Sequence, residues 1–408
     1  MLDSAINIVS ERRLKEADPW SIMTTSFKVP VEPALIEWAL ARAGLKVDEL
    51  VGQFHALPQW LNGEDDPKMT QLEHLAQKTH TAIGDLLLTE VPVGTVPIPD
   101  YRTVADAHLS SPSVNLLDSI YICERRQDWY RRYAINNGHE PLAFVGSLTT
   151  NTNLQTAAAL VSAQLGLNED MRGQWTTWID ARSMLVEAAE RAGMLVIISG
   201  IVGTSTSRKL DVSEFRGFVL SDDIAPVVFV NGADTKVAQI FTLVHEICHL
   251  WLGQSGLDDL SGNSESSYAN ERWCSRVAAE VLVPTSLFER TYRNSVALEE
   301  LQRMAREFKV STLVVLKRAY GVGKVEWDEF DSRYREEKLR LAELLERQPK
   351  PSGGNFYKTH PLRVSRDFAR ALIRDTKTGR TLQGDAYRLL GTKKFSTFVN
   401  LAKELGVG

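Results

Sequence analysis

The sequence predicts an α+β chain, mostly helical, with one small β-sheet. Apolar residues recur at helical spacing through most of its length. Only three short β-rich runs stand out, MLVIISGIVG, FRGFVL and APVVFV, all between residues 194 and 230. Turn residues, not long loops, separate the segments. From the N-terminal side, the stretch from about 33 to 88 reads as five short helices: EPALIEWALARAG, KVDELVGQF, LPQWLNG, MTQLEHLAQKTH and AIGDLLL. Breaks fall at Gly44, at His55, between Gly63 and Pro67, and at Thr81. VPVGTVPIPDY, with three prolines in eleven residues, reads as an extended linker. A helical stretch around LLDSIYICERRQDWYRRYAINNG follows, then two amphipathic helices, NLQTAAALVSAQLGL and WIDARSMLVEAAERAG, the second stopped by Gly193. Asn231-Gly232 closes the third β run. Asp234 is the expected N-cap of the helix containing FTLVHEICHLWLG, and Gly253 its stop. Helices then run to residue 408, interrupted by PKPSGGNF.

A chain of 408 residues, 43% hydrophobic and 24% charged, is long enough for two or three domains with substantial cores. No apolar run approaches the ~18–20 residues that span a bilayer. The first twenty residues meet charge too early for a signal peptide. Cys123, Cys248 and Cys274 are too few for a disulfide framework, and a reducing cytoplasm is the expected location. Charge is uneven. Residues 31–95 hold four Lys/Arg against ten Asp/Glu, net −6, whereas residues 331–408 hold seventeen against nine, net +8. Such asymmetry suggests different partners for the two ends, although solvated acidic and basic faces account for it equally well.

The chemistry concentrates in FTLVHEICHLWLG. His245 and His249 are one helical turn apart, so both imidazoles leave the same face. Glu246 lies one position round, within reach of a reacting water without being a ligand. This is H-E-x-x-H spacing, in which two histidines hold Zn²⁺ and the glutamate is the general base. Catalytic zinc polarises the scissile carbonyl and lowers the pKa of water towards ~7. The competing interpretation is a buried helix that happens to carry two histidines. Phe241, Leu243, Val244, Ile247, Leu250, Trp251 and Leu252 are indeed apolar nearly all round. Burying two histidines and a glutamate among them requires polar partners or a metal, which favours the functional reading. A third ligand is needed, and NERWCSRVAAEVLVP offers both Glu271 and Glu280.

FTLVHEICHLWL followed by ERWCSRVAAEVLVP resembles the ImmA/IrrE metallopeptidases, whose second helix runs E-x-x-A-N-x-F-A-A-E-L-L-M-P. The resemblance places Glu271 on the third zinc ligand and Glu280 on a second, structural glutamate. Cys274, Ser275 and Val277 depart from the pattern, and Ser275 is expected to weaken the hydrogen bond that would support a ligand there. APVVFVNGADTKVAQIFTLVHE is similar to the family's edge strand, turn and helix start, which makes APVVFV a candidate for main-chain pairing with an extended substrate. LQRMAREFKVSTLVVLKRAYGVG looks like its downstream helix-turn-helix-like segment. GGNFYKTHPLRVSRDFARALI and GDAYRLLGTKKFSTFVNLAKELG resemble the C-terminal extension of longer members. The 33–88 region, with PQWLNGEDDPKMTQLEHLA, is similar to a repressor-type (XRE-type) helix-turn-helix domain.

The resemblance thus implies a zincin-like metallopeptidase domain with a small mixed β-sheet, flanked by helical N- and C-terminal domains. The expected divisions are 1–100, helix-turn-helix-like with its linker; 101–150, a helical connector; 151–328, the zinc metallopeptidase; and 329–408, a basic helical domain. The implied activity is zinc-dependent cleavage of a regulatory protein, a helix-turn-helix repressor or antitoxin, in a stress, mobile-element or phage-defence response. The alternatives are a transcription regulator with a structural or sensory metal site, and a toxin–antitoxin component that acts by binding. DNA is a poor partner for the N-terminal region, because HALPQWLNGEDDP has no Lys or Arg and three consecutive acids. The basic C-terminal region is a candidate for nucleic acid: Phe356, Tyr357, Phe395 and Phe398 lie near Lys358, Lys393 and Lys394. Amphipathic helices with basic outer faces explain the same residues. Tyr357 and His360 are candidates for oxyanion or substrate contact.

Overall fold

A computed structural model describes residues 27–92, 112–257, 265–347 and 356–408. Most of VPVGTVPIPDY, the N-terminal segment before residue 27 and Gly353-Gly354 lie outside the described residues. The chain divides into two compact units, residues 1–94 and 95–408. The boundaries expected at 150/151 and 328/329 fall inside the second unit.

The first unit is helical: α1 (Pro33–Ala43), α2 (Val47–Leu50), α3 (Leu57–Leu61), α4 (Met69–Thr79) and a 3₁₀ turn at Ile83–Leu87. Gly44 ends α1 in the left-handed region, as a C-terminal glycine does, and His80 adopts the same conformation after α4. Ile36, Leu40, Leu50, Phe54, Leu57, Trp60 and Leu75 form its core.

The second unit is built on a four-stranded mixed sheet in the order β1-β3-β2-β4. The strands are β1 (Leu195–Ser199), β2 (Gly217–Leu220), β3 (Val227–Asn231) and β4 (Gly256–Leu257). β1 runs parallel to β3, β2 antiparallel to β3, and β4 pairs antiparallel with Phe218 and Val219 of β2. β3 is therefore interior, with both edges hydrogen-bonded. This corrects the expectation that APVVFV pairs with substrate.

Every position of β1, β2 and β3 is buried, because helices cover both faces. Val196, Ile198, Val219, Val228 and Val230 face the main core. That core is completed by α6 (Leu154–Gln164), α8 (Trp178–Arg191), α9 (Lys236–Trp251), α10 (Glu265–Leu282), α11 (Thr285–Thr291), α12 (Leu298–Phe308), α13 (Thr312–Gly321) and the start of α14 (Trp327–Arg347). The short α7 (Glu169–Gly173) connects α6 and α8. Leu195, Ile197, Phe218, Leu220, Val227 and Phe229 face a second core made with α5 (Val114–Asn136), α16 (Arg366–Lys377), α17 (Gln383–Leu390) and α18 (Phe395–Glu404). Phe218 and Phe229, register partners across β2 and β3, stack there at 4.6 Å. α15 (Phe356–Val364) packs against edge strand β1 and α18. Among the described residues no helix is long and apolar enough to cross a membrane.

Candidate metal centre

α9 starts at Thr235, whose hydroxyl accepts from the Ala238 amide (3.2 Å); the N-cap is thus Thr235 and not Asp234. Gly253, with φ of 66°, follows the last turn as expected. Gln239 anchors the first turn, donating to the Gly232 and Asp234 carbonyls at 3.1 and 2.6 Å and accepting from Arg182 at 2.7 Å. At the other end, the segment before α6 straps the helix down. Gly146 N donates to Leu250 O and Leu148 N to Trp251 O, while Phe144 stacks on Trp251 at 4.5 Å. α9 is therefore held at both ends over the sheet, and α10 packs along its side.

Between those anchors, His245 and His249 meet Glu271 of α10. His245 Nε2 lies 2.9 Å from Glu271 Oε2, and His249 Nε2 lies 3.2 Å both from His245 Nε2 and from Glu271 Oε1. All three side chains are buried, and among the described residues they form the one His/Cys/Asp/Glu group with metal-ligating geometry. Ligand atoms held at the usual distances by a tetrahedral zinc stand about 3.2–3.5 Å from one another, so the donor set fits such an ion with a small outward adjustment. Burial by itself would raise the Glu271 carboxyl; the contacts with His245 and His249 outweigh it and hold the group below the usual carboxylate range. The carboxylate is thus anionic, as a ligand must be. Two imidazoles and one carboxylate match the His₂Glu set of catalytic zinc.

Ser275, one turn beyond Glu271, places its Oγ 3.3 Å from His245 Nδ1. The supporting contact expected to be weakened by Ser275 is present and long. Glu280 points elsewhere. Its Oε1 accepts from the Thr285 amide and its Oε2 from the Thr285 hydroxyl, both at 2.8 Å, so it caps α11. Arg318 donates to it at 2.7 Å. Cys274 is a buried thiol of the main core, and Cys123, Cys248 and Cys274 form no disulfide.

Glu246 is fully buried and lies against β2. Among the described residues, Tyr357 and His360 are not in the metal-ligating group. They sit on α15 beside β1, and β3 separates that strand from the β2 segment that meets Glu246. The Tyr357 hydroxyl accepts from Asn400, and His360 stacks on Phe356 at 4.6 Å. Burial, then the neighbouring Arg126 charge, pushes His360 down to about 4. In the basic region, Phe395 is 64% exposed beside Lys393 and Lys394, whereas Phe398 is a core residue. Sequence reasoning missed Gly217, although a glycine inside a β-rich run signals a close approach.

Residues 189–320 match the Peptidase_M78 family model, described as the IrrE N-terminal-like domain. This segment is IrrE-like. It contains β1, β2, β3, α9 and the ligand helix α10, and the match supports the ImmA/IrrE family and a metallopeptidase-type function. Residues 364–404, spanning α16 to α18, match a domain of unknown function (DUF8813). No curated protein and no solved structure matches the chain. The IrrE-like segment covers about a third of the chain, so the two helical regions flanking it stand on their own residues.

Proposed function

We propose that the chain is a zinc-dependent endopeptidase of zincin type. In this reading His245, His249 and Glu271 hold the metal, and Glu246 is the general base and then the proton donor. The observation that carries it is the convergence of three buried ligand atoms from two helices, with a second acidic residue, Glu246, on the same helix as the histidines. Three protein ligands leave a coordination position open, whereas structural zinc sites close all four. When bound, zinc supplies the Lewis acid that polarises the scissile carbonyl. Glu246 accepts the proton of the attacking water and returns it to the leaving nitrogen. Burial of the triad also suits a metal that only stabilises the fold; a structural site, however, has no use for Glu246.

We propose as substrate class a regulatory protein such as a helix-turn-helix repressor or an antitoxin, a reading supported by kinship with the IrrE-like domain alone. An acidic N-terminal unit fits recognition of protein better than of DNA. Exposed Phe395 beside Lys393 and Lys394 keeps nucleic acid as a candidate partner of the C-terminal helices.

The test uses the purified full chain, its zinc content measured by plasma mass spectrometry, and a peptide library made by digesting a bacterial lysate. New peptide ends from the wild type, with Glu246→Gln holding zinc but cleaving ~10²–10⁴-fold more slowly, are expected. Equal zinc in both proteins with no new ends from either, extended to folded repressors and antitoxins as substrates, overturns the reading in favour of a binding protein.

A further inference from the structure

Gly217 opens β2 at a point where no side chain fits. A Cβ built there would lie 2.5 Å from Glu246 Oε1, 2.9 Å from Glu246 Cγ and 2.8 Å from Thr242 Cγ2. Gly217 is absent from the glycines of positive φ, so its backbone conformation does not require glycine. What requires it is space on the side facing α9. A glycine also weakens a strand, so space is the compensating gain.

The strand cannot retreat from the helix. Gly217 is in register with Val230, and the next residue, Phe218, is wholly buried and stacked on Phe229 on the far face of the sheet. The main chain just before it is tied down by Asn231, itself wholly buried. Asn231 Nδ2 donates to the Asp211 and Phe215 carbonyls at 3.2 and 3.1 Å, and its amide donates to Arg216 O at 2.7 Å. With β2 fixed and α9 anchored at both ends, the movable parts of this contact are the Glu246 and Thr242 side chains, and the long Glu246 chain, whose Oε1 is the nearest atom, gives first.

We propose that Gly217 is a positioning residue: its bare Cα lets the β2 main chain lie against Glu246 and sets where that carboxylate points. The proposal rests on the reading of Glu246 as the base. Thr242, one turn before Glu246, forms the other wall of the slot. A methyl group at 217 turns the carboxylate out of line while leaving His245, His249 and Glu271 in place, because the three atoms nearest to it all belong to Glu246 and Thr242.

In Gly217→Ala, kcat on the lysate-derived peptide library is expected to fall ~10²-fold or more, with KM and zinc affinity unchanged. A residue that merely packs would lower zinc affinity and stability together and leave the kcat of the loaded enzyme alone; that result overturns the proposal. A second measurement needs no activity. Thermal midpoints of the metal-free full chain are compared in the Thr242→Ser background, which removes the other contact. Gly217→Ala is expected to lower the midpoint when Glu246 is present and to leave it nearly unchanged in Glu246→Ala. Equal drops in both backgrounds also overturn the proposal. Should the wild type cleave nothing, the peptidase reading fails by itself, and the thermal comparison still decides whether Gly217 sets the position of Glu246.

Discussion

Glu271 and Glu280 share α10, are both buried acids, and do unrelated things. The first faces the two imidazoles; the second bridges Thr285 and Arg318, whose side chain is only 9% exposed. Removing Glu271 takes away a ligand and leaves the α11 cap intact. Glu271→Ala is expected to remain folded and to lose zinc affinity by more than the ~10–100-fold typical of losing an outer partner. Glu280→Ala strands the Arg318 guanidinium without its carboxylate and uncaps α11. It should cost about 3–5 kcal/mol in urea unfolding while the folded fraction keeps its zinc. The opposite pattern, zinc lost from Glu280→Ala and kept by Glu271→Ala, would exchange their roles. At this scale the spacing of His245, Glu246 and His249 was legible because one helical turn is a local rule. The choice between the two glutamates needed kinship, since a helix places both residues without saying what each faces. Gly217 was not legible as part of the site, because the atom it makes room for belongs to an element further along the chain.

Helix ends show the same division between local and distant causes. Gly44 and Gly253 stop their helices as composition suggests, because a left-handed residue satisfies orphan carbonyls within the same turn. The start of α16 is different. Ser365 has φ of 70°, and the cap comes from α8: Glu190 Oε1 accepts from the Ser365 hydroxyl at 2.8 Å and from the Arg366 amide at 2.9 Å. Burial, then the Asp367 carboxylate, pushes Glu190 from an ordinary 4.5 up to about 7, with Arg366 opposing. The folded chain therefore keeps a proton that the unfolded chain has released between those values. Its contribution to stability is full below about 4.5 and declines as pH rises, by about 1.4 kcal/mol per unit, levelling off above about 7. The whole window amounts to roughly 3 kcal/mol. Glu190→Gln keeps an acceptor for both donors, so it is expected to flatten unfolding free energy between pH 4.5 and 7 and to exceed the wild type at pH 8. An unchanged slope in that variant would remove Glu190 as the cause. In EAAERAG the residue reads as part of a solvated helix face, and nothing nearby announces Ser365.

At the scale of the molecule, the sheet is shared between two cores, and this decides what can be separated. Residues 1–94 form one compact unit, so a chain of residues 95–408 is expected to unfold cooperatively and bind zinc as the full chain does. A chain ending at residue 364 lacks α16, α17 and α18 and lays bare Phe218, Leu220, Val227 and Phe229. It should be recovered as aggregate or unfolded chain, and a soluble, zinc-binding product would contradict the two-core arrangement. The basic helices, which charge and the resemblance set apart as a domain, form one of the two layers that support β2 and therefore the slot holding Glu246. By itself the sequence determined the helix-rich class, the three β runs, the paired histidines with their glutamate, and the acidic and basic ends. These depend on contacts within a few turns of chain or on composition alone. Tertiary structure alone decided the strand order that seals β3, the burial of both sheet faces, the Glu190 cap and the space left by Gly217. Each is a contact between segments far apart in the chain, and no local preference encodes which distant surface a residue will meet.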